Sequence, residues 1–433
     1  MNDVIIGIVA LFVLLMLFLT GIELGFAMAI VGFIGFWILK GIGPAFNLIA
    51  VDLFDVFTTY GFTVIPLFML MGQIAYNSGI ARRLYDSAHK FIGHIPGGLA
   101  MATVLGATSF KAICGSSPAT AATFSSVAVP EMDRYGYAKQ LSTGVVASVG
   151  TLGILLPPSV TLIVFGIITE QSIAKLFMAG IIPGLLAAFF FLVVIYVWCK
   201  INPSIGPKGE RSSWSARFKS LPEVLLVVAV FVVLVIGLMN GFFTPTEAGS
   251  IGTMAVLLLS ITKKDIDFKG YIKSLLESLR TACMVLTLIA GSTILGHFLA
   301  VTKIPIYAAD WVAALPVNRY IIIILISFIY QIGGSFIDDL AFMILATPIL
   351  YPVALKLGFD PLWFAMLVGL TVMVGCVIPP VASNVFVVKN ITKTPLGVIY
   401  RGVIPFLASL ITVTILLFFF PGMATFLPNL LMK

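Results

Sequence analysis

The stretch CGSSPATAATFSSVAVPEM, residues 114–132, decides the fold of this chain. It places Gly115, Ser116, Ser117 and Pro118 together inside otherwise apolar sequence. Residues of this kind interrupt a helix and free backbone amides and carbonyls, which are costly to leave unpaired in hydrocarbon. Either the segment lies outside a membrane, or the interruption has a purpose.

The composition favours a membrane protein. Hydrophobic residues make up 60% of the 433 residues and charged residues only 10%, far below the roughly 25% of soluble domains. The mean hydropathy is +1.14. Several apolar runs approach the about 20 residues that a spanning helix needs. These runs are residues 4–19, 24–39, 176–199, 224–239, 248–261, 321–330 and 398–420. The sequence therefore predicts an all-α polytopic membrane protein.

Several other classes of protein are disfavoured. The four cysteines lie far apart and form no CxxC pair, so neither a zinc site nor a disulfide framework is indicated. His89 and His94 lie in a polar loop, which gives no sign of haem or histidine–metal chemistry. The net charge of +7 sits in loops, where Lys and Arg orient a membrane chain, so we predict no nucleic-acid partner. The N-terminal sequence lacks the basic region of a cleavable signal, and residues 4–19 are predicted to be a retained first span.

Three polar loops are rich in Lys and Arg, at residues 81–94, 200–219 and 263–280. Such loops are expected on the cytoplasmic side. The spans fit between them only if residues 98–130 enter and leave on the same side, as a re-entrant hairpin with GSSP at its tip. This arrangement places both termini outside.

A spaced pattern occurs twice along the chain. Pro183 follows Pro157 by 26 residues, and Pro405 follows Pro379 by the same distance. The triplets that precede these prolines are GSS at 115–117 and GGS at 333–335. Each half is predicted to hold five spans and one hairpin, and because five is odd the halves insert with opposite orientation. Inverted repeats with interrupted helices at the midplane are typical of secondary transporters.

The repeat predicts the boundaries of the parts. The first repeat is 1–199, the cytoplasmic linker is 200–220, and the second repeat is 221–433. The hairpins are at about 98–130 and 318–350, and the broken helices are at 157–158 and 379–380.

The interrupted segments offer carbonyl, hydroxyl and carboxylate oxygens with little net charge. Such a ligand set suits a hard monovalent cation such as sodium, whereas softer metals prefer other ligands. The candidate sodium-binding residues of the first half are Gly115, Ser116, Ser117, Thr120, Gly150, Thr151, Pro157 and Pro158. Those of the second half are Gly333, Gly334, Ser335, Asp338, Gly375, Pro379, Pro380 and Asn384.

The charged residues inside apolar sequence are further candidates. Asp338 and Asp339 are predicted to lie within the membrane, where acids are functional by default, and Asp338 is the stronger candidate. Glu23 and Glu247 lie near span ends, where helix capping and function are equally open. Lys111 either meets a substrate carboxylate or extends its ammonium to the interface. The candidate substrate contacts are Lys111, Ser117, Ser335 and Ser383.

Several motifs together resemble the large membrane subunit of TRAP transporters, the tripartite ATP-independent periplasmic transporters. They are GSSPATAATFSSVAVPEM (115–132), GTLGILLPPS (150–159), KLFMAGIIPG (175–184), GFFTPTEAGSIG (241–252), GGSFIDDLAFMILATPILYPVALKLGFDP (333–361) and GCVIPPVASNVFVV (375–388). The resemblance covers essentially the whole chain. Lys111 and Cys114 depart from the family pattern, in which small or apolar residues are expected before the GSS tip.

The resemblance implies a function. It implies an elevator-type symporter driven by a sodium gradient, with Na⁺ as the coupling ion, no other cofactor and no enzymatic activity. Its expected partners are a small membrane subunit of about four helices, here a separate chain, and a periplasmic substrate-binding protein. The expected substrates are organic acids such as C4-dicarboxylates, sialic acid or other sugar acids, and the expected location is the bacterial inner membrane.

The resemblance also implies how the parts move. The hairpins and broken helices would form a mobile transport domain. The start of each repeat, with residues 221–261, would form the scaffold. An intramembrane hydrolase and a channel fit less well, because no His lies near either tip and the two tips suggest alternating gates instead of a continuous pore.

Overall fold

The computed structural model describes residues 2–18 and 20–432, and within these residues every regular element is helical. The helices of the first half are α1 (Asn2–Phe18), α2 (Leu24–Lys40), α3 (Ile42–Thr58), α4 (Val64–Asn77), α5 (Ile80–Ile92), α6 (Gly98–Lys111), α7 (Ser117–Arg134), α8 (Lys139–Thr151), α9 (Val160–Ile168) and α10 (Ile173–Ile201). Those of the second half are α11 (Trp214–Met239), α12 (Pro245–Thr262), α13 (Phe268–Thr302), α14 (Ile304–Ala314), α15 (Arg319–Phe336), α16 (Asp339–Lys356), α17 (Pro361–Gly375), α18 (Ser383–Thr392), α19 (Leu396–Phe419) and α20 (Gly422–Leu431). The predicted first span ends at Leu19, which lies outside the described residues.

Several of these helices are suited to a membrane. Among the described residues, six helices are long and apolar enough to cross a bilayer by length and composition. A seventh span arises if α3 and the segment Tyr60–Asn77 are counted as one, although the two are bent by 53°. A single straight span is not formed here. The backbone instead turns at Thr59, which adopts an extended conformation between the two helices.

A helical hairpin followed by an interrupted helix occurs in each half. The first hairpin is α6–α7, with a tip at residues 112–116, and α8 and α9 are separated by residues 152–159. The second hairpin is α15–α16, and α17 and α18 are separated by residues 376–382. The hairpins are therefore somewhat longer than predicted, and both interruptions contain the proline pairs at 157–158 and 379–380.

The tip of the second hairpin differs from the expectation. The triplet GGS lies inside α15, and the helix ends only at Phe336. The close packing here depends on Gly375: a Cβ built on it would lie 3.0 Å from the Gly334 carbonyl carbon, whereas a Cβ on Gly334 would lie 3.8 Å from the Gly375 Cα. The break comes at Asp338, whose side chain accepts a hydrogen bond from the Ala341 amide at 3.3 Å and so caps α16.

The two halves interlock through glycines. A Cβ on Gly291 of α13 would clash with the Gly25 carbonyl of α2, and a Cβ on Gly144 of α8 would clash with the Gly402 backbone of α19. Helices in membranes pack through such small residues because lipid gives no hydrophobic drive for their association. Each crossing joins one helix from each half, so the halves share one packed interior.

The basic segments predicted to be cytoplasmic loops meet at one end of the molecule, although residues 81–92 belong to α5 and residues 268–280 to α13. Arg83 pairs with Glu223 at 3.0 Å and with Asp265 at 2.7 Å, while Lys263 lies 2.5 Å from Glu223. The segment between α10 and α11 also reaches this end, since the Gly97 amide donates to the Gly206 carbonyl at 2.9 Å. The side of the membrane on which this end lies stays a prediction.

The two glutamates near span ends differ in role. Glu247 forms a capping box with Thr244: its amide donates to the Thr244 hydroxyl at 3.3 Å, and its carboxylate accepts from the Thr244 amide at 2.8 Å. Glu23 precedes α2 without a side-chain cap bond. The structure thus assigns a capping role to Glu247.

Candidate functional site

The tip of the first hairpin lies against the interruption between α8 and α9. A Cβ on Gly115 would lie 2.5 Å from the Pro158 carbonyl oxygen, so this close approach requires glycine. Ser116 caps α7 by accepting from the Ala119 amide at 3.3 Å. The Thr120 hydroxyl donates to the Ser116 carbonyl at 3.0 Å. The predicted residues of this tip therefore do come together with the proline pair.

Lys111 is the last residue of α6 and is completely buried. Its ammonium donates to the Ser116 carbonyl at 2.9 Å. A Cβ on Gly153 would clash with the same ammonium, so the lysine end fits between the tip and the interrupted helix. Lys111 forms no salt bridge with any described residue. The ammonium thus contacts the hairpin itself, away from the cavity described below.

The tip of the second hairpin also touches an interruption. The Ser335 carbonyl accepts hydrogen bonds from the Val381 and Ala382 amides, both at 3.1 Å. Ala382 has φ +54°, a left-handed conformation that is uncommon for alanine. The Ser335 hydroxyl donates back to the Ile332 carbonyl at 2.7 Å. Hairpin and broken helix are therefore joined in the second half as in the first.

The two adjacent acids at this tip have different surroundings. Asp338 is exposed and caps α16, whereas Asp339 is only 4% exposed. The Cys376 thiol lies beside both the Asp339 carboxyl and the Ser383 hydroxyl. The Ser383 hydroxyl is itself buried and, apart from this thiol, has no hydrogen-bond partner among the described residues. The buried acid and the unpartnered hydroxyl mark the second interruption as a polar site.

Sequence reasoning preferred Asp338 and left Asp339 out of the site. A usable signal was present, because an Asp that directly precedes a helix is a favoured N-cap. The first of two adjacent acids at such a position is then committed to capping, which leaves the second to point inward.

Asn384 lies at the start of α18 beside the second interruption, where its backbone amide donates to the Cys376 carbonyl at 3.3 Å, but its side chain contacts the first half. It was assigned to the second-half site, but its side-chain amide nitrogen donates to the Ser117 hydroxyl at 3.0 Å and to the Ala147 carbonyl at 3.2 Å. The reason is that α18 packs against α7 and α8 of the first half. A Cβ on Gly150 would lie 2.8 Å from the Asn384 amide nitrogen. Ser117, Gly150 and Asn384 therefore form one buried cluster that joins the two halves.

The other predicted residues have simpler settings. Thr151 is buried, and its hydroxyl donates to the Ser148 carbonyl within its own helix at 2.7 Å. Gly333 packs against the ring of Phe342. In the second interruption, the Pro380 carbonyl accepts from the Tyr400 hydroxyl at 3.1 Å. Of Thr151, Gly333 and Pro380, only Pro380 lies between the two parts of an interrupted helix.

A cavity of about 370 Å³ separates the first hairpin tip from α4 and α13, a volume in the range of small-molecule sites. Its lining residues are Phe68, Met69, Gly72, Gln73, Cys114, Gly115, Ser116, Pro118, Ala119, Ala122, Val160, Thr281, Met284 and Val387. None of these carries a charge. The first turn of α7 faces the cavity, and helix N-termini favour anions.

The chain resembles known transport proteins along most of its length. Residues 9–423 match the family described as "Tripartite ATP-independent periplasmic transporter, DctM component". The chain is 35% identical over 384 residues to the C4-dicarboxylate TRAP transporter large permease protein DctM of Pseudomonas aeruginosa, covering 88% of this chain and 89% of that protein. The chain belongs to the DctM family of TRAP transporter large permeases. The resemblance stated from the motifs is thereby confirmed.

Other members of the DctM family carry different substrate names. The sialic acid TRAP transporter large permease protein SiaM of Vibrio cholerae is 30% identical over 416 residues, with 96% of each chain covered. The isethionate TRAP transporter permease protein DctMQ of Oleidesulfovibrio alaskensis is 31% identical over 365 residues, which are 84% of this chain and 57% of that protein.

The fold of this DctM-family chain also resembles solved transporters. The YdaH transporter of Alcanivorax borkumensis superposes with a TM-score of 0.59 at 12% identity, covering 88% of this chain and 89% of that one. MtrF of Neisseria gonorrhoeae gives a TM-score of 0.54 at 14% identity, with 92% and 86% covered. At such low identity these likenesses bear on the fold alone. The chain is a multi-pass, all-helical membrane permease.

Proposed function

We propose that this permease carries an organic acid across the bacterial inner membrane by sodium-driven symport. The observation that carries the proposal is the contact, in each half, between a hairpin tip and an interrupted helix. Such elements bring unpaired backbone groups to one place inside a membrane protein, as transporter sites require. The relatives are named for C4-dicarboxylate, sialic acid and isethionate, which are all organic anions and support an anionic substrate here.

The proposed architecture is a pair of inverted repeats, 1–199 and 221–433, joined by a cytoplasmic linker at 200–220, with both termini periplasmic. The recurrence of a hairpin and then an interrupted helix in each half supports it. In this proposal the hairpins, with α8–α9 and α17–α18, move as an elevator past a scaffold that contains α4 and α13. The cavity between α4, α13 and the first tip is where such a boundary would lie.

The second interruption is the proposed sodium site. Asp339 supplies the charge, and the Ser383 hydroxyl supplies a buried oxygen whose neighbour among the described polar side chains is the Cys376 thiol. The backbone at Gly334 and Gly375 adds carbonyls near the C-terminal ends of α15 and α17, where helix dipoles are negative, whereas the Ser335 carbonyl is already occupied by the Val381 and Ala382 amides. Carboxylate, hydroxyl and carbonyl oxygens are the ligands that hard cations prefer.

The cavity is the proposed substrate site. A carboxylate group that enters it would meet the N-terminus of α7 at Ser116, where the partial positive charge of the helix favours an anion. Apolar residues of α4 and α13 would surround the rest of a small acid. Co-binding of sodium lowers the cost of moving the anionic group through the bilayer, because an unpaired charge there is expensive.

The family description "tripartite" supports two partners, a small membrane subunit and a periplasmic substrate-binding protein. We expect proteoliposomes that contain this chain and its small subunit to take up a labelled organic acid only when the purified binding protein is outside. A panel of C4-dicarboxylates, sugar acids and sulfonates identifies the substrate. Equal uptake without the binding protein would contradict the tripartite proposal and indicate a carrier that works alone.

A further inference from the structure

We propose that the ammonium of Lys111 is a built-in cation that fills the cation position of the first hairpin, so that sodium drives this permease through the second half alone. The inference rests on the proposed sodium coupling. It concerns how many sodium ions move in each cycle and which half binds them.

The position of the ammonium carries the argument. Lys111 is fully buried at the C-terminal end of α6, and its ammonium lies 2.9 Å from the Ser116 carbonyl oxygen at the hairpin tip. On its other side it touches Gly153, in the turn that follows α8. It therefore lies between the hairpin tip and the interrupted helix of the first half. The corresponding place in the second half is the proposed sodium site.

The electrostatic setting is that of a cation site. Burying an ammonium is costly unless nearby groups compensate its charge. Lys111 forms no salt bridge with any described residue. The Asp339 carboxylate stabilises the ammonium from beyond salt-bridge distance, and backbone dipoles add to that compensation. The C-terminal ends of α6 and α8 both point toward this junction, and helix C-termini carry partial negative charge.

A sodium ion would compete directly with this ammonium. The Ser116 carbonyl oxygen already accepts from Lys111 at 2.9 Å and from the Thr120 hydroxyl at 3.0 Å, which uses both of its lone pairs. A second cation in the same junction would also be repelled at short range, where the surroundings screen poorly. Because the lysine is covalently attached, it is present in every transport cycle and leaves no empty position for a sodium ion at the first hairpin.

The alternative role, a direct contact with the substrate, has less support. Lys111 is absent from the lining of the cavity, whereas its neighbours Cys114, Gly115 and Ser116 do line it. The ammonium would have to leave the Ser116 carbonyl to reach a carboxylate there. The second half offers a contrast, because its junction contains the buried acid Asp339 and the Ser383 hydroxyl in place of a lysine side chain.

Two substitutions at one position test the inference. Lys111→Gly removes the ammonium and leaves its space open, whereas Lys111→Met fills the space with an uncharged chain of similar length. In proteoliposomes with both partners, we expect Lys111→Gly to raise the number of sodium ions per substrate by about one, with a matching rise in the Hill coefficient for sodium. Lys111→Met should show no such rise. A Lys111→Gly protein with the wild-type sodium count would overturn the inference.

A second measurement decides the matter if Lys111→Gly does not fold. Sodium binding raises the unfolding temperature of the purified wild-type complex relative to potassium at equal ionic strength, because a ligand that binds only the native state stabilises it. In Asp339→Asn this sodium-specific shift should vanish, since the first half holds no exchangeable cation. A remaining shift would contradict the inference, and a wild type without any sodium effect would overturn sodium coupling itself.

Discussion

Replacing Asp339 by Asn is expected to reduce sodium-driven uptake by about 100-fold or more. Opposite unit charges about 4 Å apart attract by roughly 4 kcal/mol at an effective dielectric constant of about 20, and loss of half that energy already weakens binding by more than tenfold. Asp339 is the buried acid at the second interruption, and the substitution keeps its shape. The measurement is initial uptake of the labelled acid against external sodium concentration.

Asp338→Asn is the matched control. The two acids are adjacent, but Asp338 is exposed and its side chain caps α16. Asparagine is as good an N-cap as aspartate, so this variant keeps the start of the helix and should lose less than tenfold in uptake. A larger loss in Asp338→Asn than in Asp339→Asn would show that the exposed acid is the ligand, as the sequence alone had suggested.

Asn384→Leu is expected to abolish uptake and to destabilise the protein by about 2–4 kcal/mol. The side chain is completely buried and bonds both the Ser117 hydroxyl and the Ala147 carbonyl. Each polar group that loses its buried partner costs about 1–3 kcal/mol. The damage reaches both halves, because the amide joins α18 to α7 and α8. Thermal unfolding in detergent and uptake in proteoliposomes measure the two effects.

Asn390→Leu on the same helix is the control for that result. Asn390 is exposed, and the same substitution there removes no bond among the described residues. It should leave the unfolding temperature and uptake close to wild type. If Asn384→Leu matched this control in both measurements, the amide cluster would have no role in joining the halves.

The interruptions were predictable from sequence because local chemistry determines them. Proline removes an amide and clashes with the preceding turn, so the pairs at 157–158 and 379–380 had to break their helices. The GSSP segment likewise contains the start of α7, and α6 ends four residues before it at Lys111. The GGS triplet did not predict the end of α15 for a physical reason: within a membrane helix, glycine often permits close packing instead of a break, as Gly333 does against the Phe342 ring.

The contacts between distant segments were not predictable. Asn384 and Ser117 are 267 residues apart, and only the packing of α18 on the first half brings them together. The choice between Asp338 and Asp339 depended on the residue at which α16 begins. If the helix began one residue later, the two acids would exchange roles. The direction of Lys111 also depended on tertiary structure, since one arrangement of the hairpin places its ammonium in the cavity and another places it on the Ser116 carbonyl.

The most direct test of sodium-driven transport is to supply one ion gradient at a time. Proteoliposomes with this chain, its small subunit and external binding protein would be given either an inward sodium gradient at equal pH or an inward proton gradient without sodium. Our account predicts that the sodium gradient alone accumulates the organic acid above its external concentration. Accumulation under the proton gradient without sodium would contradict it.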